Sequence, residues 1–199
     1  LFHRQLTGEA TKVDIGMLEC QLALLENAVM RYQVSGTAPG PLGARHPSIT
    51  PFEAYKTKDG YIIISAGNDG LFAKLAEALE NPGWAEDPDY SSNDNRNKHV
   101  EKLKIEMESV LTTHTTSHWI EVLDKFGVPS GPINDIGQAA THPQTIARNM
   151  IVSVDDPITG PMKVAGNPIK ISGFEDPETR EPAPNLDQNR EQILRELTD

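Results

Sequence analysis

Phe52-Glu53-Ala54-Tyr55-Lys56 and Tyr61-Ile62-Ile63-Ile64-Ser65 flank the tetrapeptide Thr57-Lys58-Asp59-Gly60. Two runs rich in β-branched and aromatic residues, joined through Asp-Gly, form the strongest short-range signal for an antiparallel hairpin. Downstream, Asn68 or Asp69 predicts the cap of a helix with Leu71, Phe72, Leu75, Ala76 and Leu79 on one face, ended by Asn81-Pro82-Gly83. Ser92 or Asn93 predicts the start of a polar helix whose apolar positions are Val100, Leu103, Met107, Val110 and Leu111. Thr116 or Ser117 predicts a further one carrying Trp119, Ile120, Leu123 and Phe126, closed by Gly127.

Outward from this block the pattern loosens. Upstream, Asp14 predicts the cap of one long amphipathic helix with Met17, Leu18, Leu22, Leu25, Val29 and Tyr32 on a face, stopped by Gly36. Residues 37–51 hold Pro39, Pro41, Pro47 and Pro51 with Gly40, Gly43 and Ser48 among them, so an ordered loop or linker is expected. Leu1 stands in place of an initiator methionine, and Leu1, Phe2 and Leu6 read as a helical face already under way. The expectation is a chain cut inside an element rather than a processed mature terminus. On the other side, Val128-Pro129-Ser130-Gly131-Pro132-Ile133-Asn134-Asp135 is too rich in Pro and Gly for a regular element, and short helical turns follow over residues 136–140 and 142–149. Residues 151–154, 162–164 and 169–171 then read as short strands, 175–184 as a polar proline-rich connector, and 189–197 as a helix with Ile193, Leu194 and Leu197 on one side.

The 199 residues carry a formal charge of −11 from 29 acidic and 18 basic side chains. The basic residues are scattered, so no stripe exists to track a phosphate backbone, and nucleic acid is not an expected partner. The longest apolar run lies within Tyr61–Ser65, far below the ~20 residues of a membrane span. A membrane is therefore not an expected partner either. The single cysteine, Cys20, excludes an internal disulfide framework and fits a reducing compartment, with the cytoplasm as the expected location. Cys20 sits between Leu18 and Leu22 in the long helix and reads as a buried structural thiol rather than a nucleophile.

His114 and His118 have i, i+4 spacing, but they straddle a helix cap and read as two solvated loop histidines, so no metal site is expected. Gly-x-Gly-x-x-Gly, P-loop and Gly-x-Ser-x-Gly patterns are all missing, which removes the usual anchors of dinucleotide, nucleotide-hydrolysis and serine hydrolase chemistry. Two loops carry more interest: Gly43-Ala44-Arg45-His46-Pro47-Ser48 and Val128-Pro129-Ser130-Gly131-Pro132. Small residues in stiff loops let backbone N–H groups approach a ligand, and Arg45 with His46 can meet a carboxylate or phosphate. Read from the residues alone, both loops serve equally well as stiff connectors.

These landmarks, in this order, resemble the family III CoA-transferases, a group that includes the α-methylacyl-CoA racemases. The likeness is carried by Arg4, Thr7-Gly8, Val13-Asp14-Ile15-Gly16-Met17-Leu18, Gly43-Ala44-Arg45-His46-Pro47-Ser48-Ile49-Thr50-Pro51-Phe52 and Asp59-Gly60-Tyr61-Ile62-Ile63-Ile64-Ser65-Ala66-Gly67-Asn68. It continues through Gly127-Val128-Pro129-Ser130-Gly131-Pro132-Ile133-Asn134-Asp135 and Gly166-Asn167-Pro168-Ile169-Lys170-Ile171-Ser172-Gly173. It departs at Ala10-Thr11, where the family commonly has Gly-Gln. It departs again at Leu186-Asp187-Gln188-Asn189-Arg190, where Asp187 replaces a glycine and puts the local backbone in question.

The resemblance implies an α/β fold: the C-terminal portion of an interlocked two-domain CoA-transferase. Residues 1–51 would be a linker helix and active-site loop, 52–151 a small α/β domain, and 152–199 the strands and helix returning to a large CoA-binding domain. It implies transfer of coenzyme A from an acyl-CoA donor to a carboxylic acid acceptor through an aspartyl intermediate. The nucleophilic aspartate of the family falls before Leu1, so no catalytic residue is assigned within this chain, which alone is expected to be inactive. Met17 matches a methionine near bound CoA, and Arg45, His46, Pro47 and Ser48 match a loop covering the active site. Acyl-CoA and a small carboxylic acid are the implied substrates, without a metal, and the full-length form is implied to be a homodimer. The Arg-His-Pro-Ser loop and Gly67-Asn68-Asp69 favour transferase over racemase. A non-catalytic fragment or assembly module is the remaining reading, because the face of Leu18, Leu22, Leu25 and Val29 would drive association if exposed.

Overall fold

The computed structural model describes residues 1–198. Its core grows from the predicted hairpin. β1 (Phe52–Lys56) and β2 (Tyr61–Ser65) pair antiparallel, in register from Phe52↔Ser65 to Lys56↔Tyr61. Side-chain alternation turns Glu53, Tyr55, Ile62 and Ile64 onto one buried face. Glu53 is tolerated there because Lys104 reaches its carboxylate from the facing helix. Burial, with Glu53 beside it, pushes the Tyr55 hydroxyl far above the usual phenol range.

Onto this face pack α4 (Asp69–Ala78), α6 (Val100–Leu111) and α7 (Thr116–Lys125). Phe72, Leu75 and Leu79 meet Leu103, Met107, Leu111, Trp119 and Leu123, nearly all of them fully enclosed. Each such side chain is worth about 1.5–3 kcal/mol relative to exposure. Asn68 caps α4, its Oδ1 accepting from the Leu71 N–H at 2.8 Å. The polar helix expected from Ser92 onward is two helices, α5 (Asn93–Lys98) and α6, because His99 leaves helical geometry at φ −110°, ψ 25°.

α7 is capped by Thr115, not by Thr116 or Ser117. Thr116 is taken instead by the hairpin turn: Asp59 Oδ1 accepts from its N–H at 2.8 Å and from its hydroxyl at 3.0 Å. These bonds, the Thr116 N–H first, hold the Asp59 carboxyl below the usual carboxylate range. A depressed folded-state value gives stability that is present above the unfolded value near pH 4 and is lost as pH falls through the folded one. The thermal midpoint of Asp59→Asn is therefore expected to fall less steeply than that of the parent between about pH 5 and pH 3. Parallel curves for the two proteins would remove the turn from the acid response.

The segment read as too Pro- and Gly-rich for regular structure holds a strand. β3 (Ser130–Pro132) pairs antiparallel with β2, Gly131 opposite Ile63, giving the sheet order β1-β2-β3. The pleat explains why this is possible. Ile133 donates its N–H to the Tyr61 carbonyl and Pro129 offers its carbonyl to Ser65, so the alternate residues Ser130 and Pro132 face away from β2. The missing N–H of Pro132 thus falls on the open side. Along the other edge the Phe52 carbonyl accepts from the His46 N–H at 2.8 Å, and the Lys56 N–H donates to Glu108 at 2.9 Å.

α8 (Ile136–Thr141), opened by an Asp135/Gln138 capping box, and α9 (Pro143–Ala147) lead to a second sheet. There β4 (Ile151–Asp156) lies between antiparallel β5 (Gly160–Ala165) and parallel β6 (Thr179–Arg180). The strand expected at residues 169–171 does not form, and Ile169 and Ile171 are exposed. The third strand comes from the connector, held by Asp176 between Lys170 and Arg180 and by the Ser153 N–H on the Glu178 carbonyl at 2.8 Å. α10 (Arg190–Thr198) follows. Asp187, the residue standing in for a glycine, has φ 69°, so it keeps the left-handed backbone at a steric cost of about 1–2 kcal/mol.

Upstream, α1 (Phe2–Thr7), α2 (Met17–Leu24) and α3 (Glu26–Ser35) contain no buried residue. The single long helix is interrupted at Leu25, and Gly16 rather than Asp14 occupies the cap position. Asp14 pairs with Lys12 in solvent at 3.1 Å. Cys20 is exposed, contrary to the expectation of a buried thiol, because nothing among the described residues covers its helix. No helix among the described residues is long and apolar enough to cross a membrane.

Candidate functional site

The loop over residues 45–50 leads into β1, and its shape is set by bonds that converge from α5. His46 Nδ1 accepts from the backbone N–H groups of Ser48 at 3.2 Å and Ile49 at 3.0 Å. That nitrogen therefore carries no proton, and the neutral ring bears its hydrogen on Nε2 as an available donor. The imidazole lies flat against Phe52, centroids 5.3 Å apart and planes 5° from parallel, which fixes its tilt.

Beneath the loop lies Arg96, fully buried. Its Nε donates to the Thr50 carbonyl at 2.8 Å, Nη1 to Tyr90 at 2.8 Å, and Nη2 to Gly67 at 3.1 Å and Asp69 Oδ1 at 2.8 Å. The guanidinium also sits 4.5 Å from the centre of the Phe72 ring. A single planar fork thus ties the loop, the end of β2 and the turn before α5 together. Gly67 completes the fit: a Cβ there would come within 1.9 Å of Ile49 Cγ2, so only glycine lets the loop lie against the strand end.

Between this loop and the α2–α3 junction opens a cleft of about 330 Å³, lined by Leu24, Leu25, Asn27, Arg31, His46 and Ser48, with Ala28 and Pro47 completing the wall. An apolar side faces an imidazole donor, a hydroxyl, an amide and a guanidinium, a set suited to a small carboxylate. Of the residues singled out from sequence, His46, Pro47 and Ser48 meet here. Arg45 does not line the cleft; it is half-buried, and its charge acts on Tyr55. Met17 lies at the far end of α2, outside the cleft and exposed. Asn27, Arg31, Asn93, Arg96 and Asn97 were not singled out. Only the alternation of Asn93, Arg96 and Asn97 along one short helix could have drawn notice.

The second loop of interest is the β3 strand and contributes nothing to this cleft. His114 and His118 are both solvent-exposed, with rings stacked at 4.2 Å beside Trp119, and His118 lies within α7 rather than in a loop. Among the described residues, no group of three or more His, Cys, Asp or Glu side chains is arranged to hold a metal ion.

Compared with known families, the sequence matches CoA-transferase family III over residues 1–190. The chain belongs to that family. The acetyl-CoA:oxalate CoA-transferase of Acetobacter aceti is 37% identical over 99% of this chain and 49% of its own length. The human succinyl-CoA:glutarate CoA-transferase is 30% identical over 99% of this chain and 45% of its own. The crystal structure of a CaiB/BaiF family protein from Brucella suis superimposes with a TM-score of 0.77 at 31% identity, covering 98% of this chain and 50% of that one. The chain spans about half the length of the relatives it matches. Its helices and two small sheets have the α/β character of this family.

Proposed function

We propose that this chain forms part of an enzyme that moves coenzyme A from an acyl-CoA donor to a carboxylic acid acceptor, and that the cleft between α3 and the His46 loop receives the acid. The carrying observation is that Arg31 and a His46 ring whose free donor is Nε2–H line one cleft, the ring on a loop pinned from below. The two relatives named above as transferases act on oxalate and glutarate, both dicarboxylates, and this supports transfer over racemisation.

In the chemistry proposed, an aspartate outside residues 1–199 attacks the thioester carbonyl, expelling CoA thiolate and leaving a mixed anhydride. The thiolate then attacks the aspartyl carbonyl, releasing the donor acid and forming an aspartyl-CoA thioester. The acceptor carboxylate repeats the two steps in reverse. No step needs a metal. Arg45, His46, Pro47 and Ser48 close over the thioester and shield it from water, with His46 orienting a substrate carboxylate and Met17 lying near CoA. The same proposal takes residues 1–51 as linker and loop, 52–151 as the small domain and 152–199 as the segment returning to a CoA-binding body. It takes the full-length form as a cytoplasmic homodimer, for which the exposed apolar side chains of α2 and α3 are the support. Residues 1–199 alone are expected to be inactive.

Transfer and hydrolysis of acyl-CoA by the full-length enzyme test this reading. His46→Ala is expected to slow transfer about tenfold, the scale of one lost charge-assisted hydrogen bond, and Arg45→Ala, which lies outside the cleft, by a smaller factor. Parental rates in both variants would remove the loop from the chemistry. A full-length protein that transfers no CoA to any small carboxylic acid would remove the function itself.

A further inference from the structure

We infer that Asn93 and Asn97 are positioning residues that set the conformation of the His46 loop and thereby how well it keeps water from the reacting thioester, an inference that rests on the transferase reading above. The two asparagines stand one turn apart on α5, on the same side of the helix. Both amides are spent on the same two loop residues, Ser48 and Thr50. Each donates from Nδ2 to the Ser48 carbonyl at 2.8 Å. Asn93 Oδ1 accepts from the Thr50 N–H at 3.0 Å, and Asn97 Oδ1 accepts from the Thr50 hydroxyl at 2.6 Å.

Four hydrogen bonds therefore clasp both sides of Ile49, filling both lone pairs of one carbonyl and both donors of one threonine. The clasp continues directly into the site. The N–H groups that hold His46 Nδ1 belong to Ser48 and Ile49, the residues the clasp immobilises. A shift of α5 or a lost amide moves Ser48, then the imidazole, then its Nε2–H in the cleft. Amides alone fit both roles, since a carboxylate at either position cannot donate to Ser48 and would repel its carbonyl.

The test uses the full-length enzyme, with acyl-CoA and a dicarboxylic acid. In N93A/N97A the ratio of acyl-CoA hydrolysis to CoA transfer is expected to rise about tenfold, and amide hydrogen exchange at Ser48 and Ile49 to quicken by a similar factor. Asn97→Asp is expected to move both quantities in the same direction. Asn95→Ala is the control: it lies on the same helix, bonds the Pro88 carbonyl and touches no loop residue, and should leave the ratio at the parental value. If the double variant changes neither the ratio nor the exchange relative to Asn95→Ala, the inference is overturned while the transferase reading stands. If the parent transfers no CoA, the transferase reading falls with the shielding role, and faster exchange still identifies the clasp.

Discussion

Arg96→Met is expected to lower the unfolding free energy by about 3–5 kcal/mol, because it strands three backbone acceptors at once. Methionine keeps a flexible stem over Phe72 but leaves the carbonyls of Thr50, Tyr90 and Gly67 without their donor. Each stranded buried acceptor costs about 1–3 kcal/mol. Asp69 adds little, since its carboxylate is 67% exposed and rehydrates. Arg96→Lys should recover less than half of the loss, because one ammonium cannot span three separately directed carbonyls. Urea unfolding measures this through a lower midpoint at unchanged slope. A loss under about 1 kcal/mol would show that water replaces the guanidinium, and the loop would then owe its shape to the asparagines alone.

Trp119→Ala is expected to cost about as much, 3–5 kcal/mol, for a different reason. The indole is 5% exposed and fills the space between α6 and α7. Its Nε1–H donates at 2.7 Å to the Leu111 carbonyl, one of the terminal acceptors that α6 cannot satisfy from within. Trp119→Phe separates the two contributions. It keeps most of the packing and strands the carbonyl, so about 1–3 kcal/mol is expected. Equal losses in Phe and Ala would mean that the hydrogen bond outweighs the packing.

What could be seen in the sequence follows the range of the interactions involved. The hairpin was legible because its turn and its alternation are local, and so were the caps at Asn68, Ser92, Gly36 and Gly127. β3 was not, since a Ser-Gly-Pro strand exists only where a neighbour supplies the ladder and the proline faces outward. Arg96 was hidden in Asn93-Asp94-Asn95-Arg96-Asn97-Lys98, a hexapeptide that reads as solvated, because its partners lie up to 46 residues away. Cys20 failed in the opposite direction: periodicity shows that a helix has an apolar face, not that anything covers it. His46 was singled out and Arg31 was not, because the cleft joins a loop to a helix that the sequence set apart as a linker.

The edges of the three-stranded sheet bear on how the chain behaves at high concentration. Unpaired strand edges are templates on which other chains add, the first step toward cross-β fibres. Here one edge has its Phe52 carbonyl and Lys56 N–H already committed to His46 and Glu108, and the other replaces an outward donor with Pro132. A strand arriving at either side finds some of its bonding partners taken or missing. The loop that shapes the cleft therefore also covers part of one sheet edge, and loosening it would free the Phe52 carbonyl to accept from another chain.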